Sequence, residues 1–155
     1  MNDLSDLIAP EAILPRIAAS SRRHALQLLC EGLARTSGIS ERAAFEAILL
    51  RERNQGTGVG DGVAIPHAHV AGLTRPLGAF ARLEPAQDFE APDKRPADLV
   101  FMLLTPPERS GDHLKALARV SRLLRRADMR EKLRAARSVD ELYALMTGAV
   151  HSDAA

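Results

Sequence analysis

One stretch constrains this chain more than any other: Gly56-Thr57-Gly58-Val59-Gly60-Asp61-Gly62-Val63-Ala64-Ile65-Pro66-His67. Glycine at every second position lets the backbone take φ > 0 and lets another group come close. The glycines give way to a short apolar strand, Val63–Ile65. Pro66 has no N–H to give to a ladder, so the strand is expected to end there and to hold His67 at its tip. A histidine fixed at a strand end, beside exposed backbone amides, is a candidate nucleophile for an anionic group. The glycines do not form a P-loop, because no Gly-Lys-Ser/Thr follows. They do not form a dinucleotide fingerprint either, because they precede a strand instead of opening a helix. ATP and NAD are therefore not expected ligands.

The elements around this stretch follow from periodicity and punctuation. An edge strand is expected near Ala12–Leu14, between Pro10 and Pro15. Ser21 caps a helix to about Arg35, with Leu26, Leu29, Cys30 and Leu33 on one face and Gly38 beyond its end. Ser40 caps a second helix, to about Arg53. Leu77–Leu83 alternates as a half-buried strand does. Leu99–Leu104 is apolar throughout, as a strand covered on both faces must be. Glu84–Ala97 reads as a proline-rich loop. Three helices follow: one from Ser110-Gly111-Asp112, one over Met129–Ala136, and one from the capping box at Ser138–Glu141 to Gly148. Helices before, between and after strands predict an α/β domain, a β-sheet with helices packed on it. One domain is expected over residues 1–150, with 151–155 as a frayed tail.

Composition removes several function classes. The 155 residues carry a net charge of +1, which gives no global pull toward nucleic acid or membrane. Aromatics make up 3%, too few for base-stacking platforms. No apolar run is long enough to span a bilayer. Cys30 is the one cysteine, which excludes an internal disulfide and fits a reducing compartment. A cytoplasmic protein with neither nucleic-acid binding nor membrane insertion is expected. Lys115, Arg119, Arg122 and Arg126 share a helix face, read here as solvated.

Further residues are site candidates beside His67. His113 falls in the first turn of a helix, where dipole and free amides favour anions, and it faces either the site or water. Arg51, near the end of the second helix, offers a charged planar fork for phosphoryl oxygens, with Arg53 as a competitor. Thr57 and Gly58 are weaker phosphoryl-binding candidates. His69 makes a His-x-His pair with His67. With His113 it would complete a three-histidine zinc site only if the strand ran on past Pro66, which is not expected, so no metal is assigned.

Phe45–Arg53 followed by the Thr-Gly-x-Gly-x-Gly-x-Ala-Ile-Pro-His run resembles the EIIA domain of the fructose/mannitol class of the bacterial phosphotransferase system, in particular its stand-alone nitrogen-regulatory branch. The resemblance covers nearly the whole chain. It implies a mixed β-sheet flanked by helices on both sides. It also implies a phosphorelay role, in which His67 accepts a phosphoryl group from an HPr-like histidine phosphocarrier while Arg51 and His113 surround that group. Neither metal nor nucleotide cofactor is implied at this step, and regulatory protein targets are the implied output. Two other readings stay open: a sugar-specific EIIA that passes the group to an EIIB for uptake, and a metal-dependent hydrolase using His67, His69 and His113. After the Ile-Pro-His motif, the family often has a small residue and then lysine or arginine. Here Ala68 is followed by His69.

Overall fold

Alternation along the apolar run at residues 99–104 sets the layers. Val100, Met102 and Leu104 face one core, and Leu99, Phe101 and Leu103 face the other. The computed structural model describes residues 3–108 and 110–148. In chain order its elements are β1 (Ile8–Ile17), α1 (Arg22–Ser37), α2 (Glu41–Asn54), β2 (Gly58–Gly60), β3 (Val63–Ala64), β4 (His67–His69), β5 (Leu77–Gln87), β6 (Ala97–Thr105), α3 (Ser110–Leu124), α4 (Ala127–Ala135) and α5 (Val139–Thr147). The expected frayed tail at 151–155 lies outside the described residues.

The sheet is mixed, ordered β1-β5-β6-β3-β2, with β4 also paired to β6. β5 and β6 run antiparallel, β1 lies parallel to β5, and β3 and β4 lie parallel to β6. One face carries α1 and α2, through Leu26, Leu29, Leu33 and Ile48. The other carries α3, α4 and α5, through Val120, Leu133, Leu142 and Met146. The predicted caps form as read. Ser21, Ser40 and Ser138 accept the amides of His24, Ala43 and Glu141, and Gly38 and Gly148 close their helices at φ 74° and 79°. The N-terminal segment is tied to the far end of the fold, where Leu4 N donates to the Met146 carbonyl at 3.0 Å. Arg119, from the basic face of α3, grips Asp6 at 2.7 Å instead of standing in water.

Three expectations need correction. β1 is ten residues long and contains both Pro10 and Pro15. At a sheet edge a missing N–H forfeits no bond on the open side, so the prolines do not shorten the strand. The stretch read as a loop over Glu84–Ala97 is shorter, because β5 runs on to Gln87 and β6 starts at Ala97, and the glycines hold a strand of their own. β2 pairs antiparallel with β3, and Asp61 and Gly62 turn between them with φ of 58° and 77°. This is the Asp-Gly pair that a two-residue hairpin favours, since both turn positions need φ > 0. Third, Pro66 interrupts the strand without ending it. β3 stops at Ala64 and pairing with β6 resumes at His67, in the register His67↔Leu103, Ala68↔Leu104 and His69↔Thr105. Pro66 lacks a donor but keeps its acceptor, and its carbonyl takes the Leu103 amide at 2.8 Å.

The hairpin is fastened to α2 by Glu52, which is 2% exposed. Its carboxylate accepts the Thr57 amide at 3.0 Å and the Thr57 hydroxyl at 2.7 Å, with Arg22 at 3.4 Å. Burial pushes this carboxyl up, and the two Thr57 bonds draw it back down. Glu52→Ala leaves both Thr57 donors without their acceptor in a buried setting, which costs about 1–3 kcal/mol for each unsatisfied group. Denaturant unfolding is expected to show a loss of at least about 2 kcal/mol on that basis, against a smaller loss for Glu52→Gln, which keeps one acceptor oxygen. Equal, small losses for both variants would remove the fastening role.

Candidate functional site

Three elements converge on one cleft of about 400 Å³, lined by Ala47, Leu50, Arg51 and Asn54 from α2, His67, Ala68 and His69 from β4, and His113 from α3. The strand resumed after Pro66 presents His67 at its start. α2 packs over β4 and brings in its last turn.

His67 is half-buried and has one tautomer available to it. Its Nδ1 lies 2.7 Å from the Ile65 carbonyl oxygen, which can only accept, so Nδ1 carries the proton. Its Nε2 lies 3.3 Å from Arg51 Nη2, which can only donate, so Nε2 carries the lone pair. Two independent partners thus impose the same answer. Burial holds the ring below the ordinary value of 6.5; the Ile65 bond opposes this, and the Arg51 charge and His69 add to it. The result is a neutral imidazole with a defined nucleophilic nitrogen aimed into the cleft.

Arg51 is itself held, with Nη1 donating to the Gln55 carbonyl at 3.1 Å, beyond the helix end. Its fork therefore closes the terminus of α2 with one nitrogen and reaches His67 with the other. His113 stands with its ring centroid 5.4 Å from that of His67 and 4.7 Å from that of His69. Burial lowers its pKa to about 4, with further contributions from His67, His69 and Arg51. Its Nδ1 lies 2.7 Å from Thr105 Oγ1. His69 reaches the same hydroxyl at 2.9 Å through its own Nδ1.

The structure thus brings Arg51, His67 and His113 together, and adds His69, which the expected strand end had separated from them. It does not bring in Thr57 or Gly58. The Thr57 amide and hydroxyl both go to Glu52, and the Gly58 amide donates to the Phe89 carbonyl at 2.9 Å. Gly58 is needed for close approach: a Cβ there would stand 2.8 Å from the Ala91 side chain. Arg53 is exposed and lies outside the cleft lining. Sequence reasoning missed Glu52 and Thr105. Glu52 continues the buried Ala44–Ile48 spacing of α2 by one more turn, so an acid on an apolar stripe was the available signal. Thr105 is the one hydroxyl closing an apolar strand. Among the described residues no group of three or more His, Cys, Asp or Glu is arranged to hold a metal ion. The Nδ1 atoms of the three cleft histidines go to Ile65 and Thr105.

A neutral histidine with a free ring lone pair, an arginine fork and a second histidine thus stand around one open cleft. The chain belongs to the type 2 EIIA family of the phosphoenolpyruvate-dependent sugar phosphotransferase system, whose pattern matches residues 6–148. It is 49% identical over 143 residues to the nitrogen regulatory protein of Bradyrhizobium diazoefficiens, covering 92% of this chain and 94% of that one. It is 37% identical to the fructose-specific EIIA component of Haloferax volcanii, covering 89% and 90%. The crystal structure of nitrogen regulatory protein IIA-Ntr from Neisseria meningitidis superposes with a TM-score of 0.86 at 32% identity, covering 93% of this chain and 99% of that one. Among the described residues no helix is long and apolar enough to cross a membrane.

The depressed His113 pKa has a consequence for stability. Between about 4 and the ordinary 6.5 the unfolded chain binds a proton that the folded one refuses. Stability therefore rises with pH across that window and falls as the solution is acidified through it. His67 acts in the same direction. Denaturant midpoints measured from pH 4 to 6.5 are expected to climb in the wild type and to climb less in His113→Gln. Parallel profiles for the two proteins would contradict the assignment.

Proposed function

We propose that this chain is a cytoplasmic phosphorelay protein of a nitrogen-regulatory phosphotransferase system. It takes a phosphoryl group onto His67 from an HPr-like histidine phosphocarrier and acts on protein targets according to its phosphorylation state. The observation that carries this reading is the doubly determined tautomer of His67, with Nδ1–H on Ile65 and a lone pair on Nε2. In the step itself the donor's N–P bond breaks and an Nε2–P bond forms in line. The electron pair of the broken bond returns to the donor imidazole, and Nδ1–H stays on the Ile65 carbonyl. Arg51 Nη2, which rests against Nε2, passes to the phosphoryl oxygens as the bond forms, so its charge is already in place when the negative charge arrives. His113 supplies a second contact to the group. Alignment and charge complementarity suffice, because phosphoryl transfer asks little covalent work of the protein.

A protein donor has an apolar contact available at the rim of the cleft: Leu50, 62% exposed, lines it from α2. The higher identity to a nitrogen regulatory protein favours the regulatory branch. The match to a fructose-specific component favours a second reading, onward transfer to an EIIB.

Intact-mass spectrometry after incubation with phosphoenolpyruvate, enzyme I and an HPr-type carrier tests the proposal. The wild type is expected to gain one acid-labile phosphoryl group and His67→Ala none. Arg51→Ala is expected to slow the gain by about 10²–10³, as loss of a charge-stabilising donor does. An adduct that persists on His67→Ala, or none on the wild type, would overturn it. Loss of the group to an added EIIB and sugar would move the assignment to the transport branch.

A further inference from the structure

The Thr105 hydroxyl is fully buried and lies between two imidazoles. Its oxygen is 2.9 Å from His69 Nδ1 and 2.7 Å from His113 Nδ1. A hydroxyl has one proton. If it donates to one of these nitrogens, it must accept from the other. Two neutral histidines bridged in this way take opposite tautomers: one carries its proton on Nδ1, the other on Nε2.

Bonds donated by a hydroxyl run shorter than those donated by an N–H; to an oxygen acceptor the modes are near 2.7–2.8 Å and 2.9–3.0 Å. The shorter contact falls on His113 and the longer on His69. The direction that fits this order has the hydroxyl donating to His113 Nδ1 and His69 Nδ1–H donating to the hydroxyl. His113, with Nδ1 occupied as an acceptor, carries its proton on Nε2. A phosphoryl group offers only acceptor oxygens, so a second histidine beside it is useful only as a donor, and a ring whose Nδ1 accepts has its Nε2–H free to donate. The reverse setting would present a lone pair to an anion.

We infer that Thr105 and His69 are positioning residues that hold His113 in its Nε2–H tautomer, so that the cleft meets an incoming phosphoryl group with a donor already in place. The inference rests on the phosphoryl-acceptor reading of His67 for its purpose, though not for its geometry. It also gives a use to His69, at the position where the family often carries lysine or arginine. Here the residue acts through the β6 hydroxyl directly across the β4–β6 register from it.

The test is to read the imidazole tautomers of the ¹⁵N-labelled full-length chain by two-bond proton–nitrogen correlation, with His→Gln variants for assignment. The expected pattern in the free protein is Nδ1–H on His67, Nδ1–H on His69 and Nε2–H on His113. Thr105→Val keeps the branched shape and removes the bridge; it is expected to give His113 a mixed tautomer population and to slow phosphoryl gain about tenfold, less than outright loss of a donor. Thr105→Ser is expected to restore both. Like tautomers on His69 and His113, Nδ1–H on His113, or a Thr105→Val protein with unchanged tautomers or unchanged transfer would overturn the inference. If Thr105→Val fails to fold, the wild-type and Thr105→Ser spectra decide it. A wild type that takes no phosphoryl group but shows the expected tautomers would sink the acceptor reading alone.

Discussion

The bond from Leu103 N to the Pro66 carbonyl, 2.8 Å long, keeps the site in the sheet. Without it the chain would leave β6 at Ala64, and the next residues would be loop. With it, pairing resumes at His67 and β4 runs in register against Leu103, Leu104 and Thr105. β6 is buried on both faces by the two helical layers, so a residue paired to it inherits a rigid frame. His67 is thus placed by the part of the molecule least free to move. The Ile65 amide donates to the Thr57 carbonyl at 3.0 Å, while the Thr57 amide goes to Glu52, so the Ile65 carbonyl is left to the His67 ring.

The other site residues are each held by a hydrogen bond of their own, and only the two through Thr105 run to β6. Arg51 is anchored on Gln55, His113 and His69 on Thr105, and the hairpin beside them on Glu52. Such anchoring removes rotamer freedom before a ligand arrives, so the ordering cost is met in folding instead of in binding. The charges are arranged with the same economy. Three imidazoles stand in one cleft, and two of them are pushed toward neutrality by burial and by Arg51. The single fixed cation is then the one that faces the nucleophile.

Much of this was legible in the sequence, and the rest was hidden for physical reasons. The layers, the caps and the Arg51–His67–His113 grouping could be read because apolar periodicity and capping chemistry are local, and because the glycine run with its Ile-Pro-His end resembles one family closely. The length of β1 was not legible, because whether a proline stops a strand depends on which side of the strand is open, and that is a tertiary fact. The resumption at His67 was hidden for a related reason: Pro66 loses a donor but keeps an acceptor, and only the position of Leu103 shows that the acceptor is used. Thr57 looked like a phosphate ligand because its hydroxyl was seen without its partner. Glu52 supplies that partner from five residues upstream, one turn beyond the buried Ala44 and Ile48 of α2.

The bond between Leu4 and Met146 joins the segment before β1 to the last helix, α5, within one hydrogen-bond length. Both ends of the described chain therefore lie at the same corner, on the face built by α3, α4 and α5. The histidine cleft draws mainly on the opposite layer, through α2. A domain whose ends meet can be inserted into a longer chain, or circularly permuted through a short linker, without pulling its sheet apart. Evolution can attach such a unit to other modules as a cassette while the His67 pocket keeps its geometry.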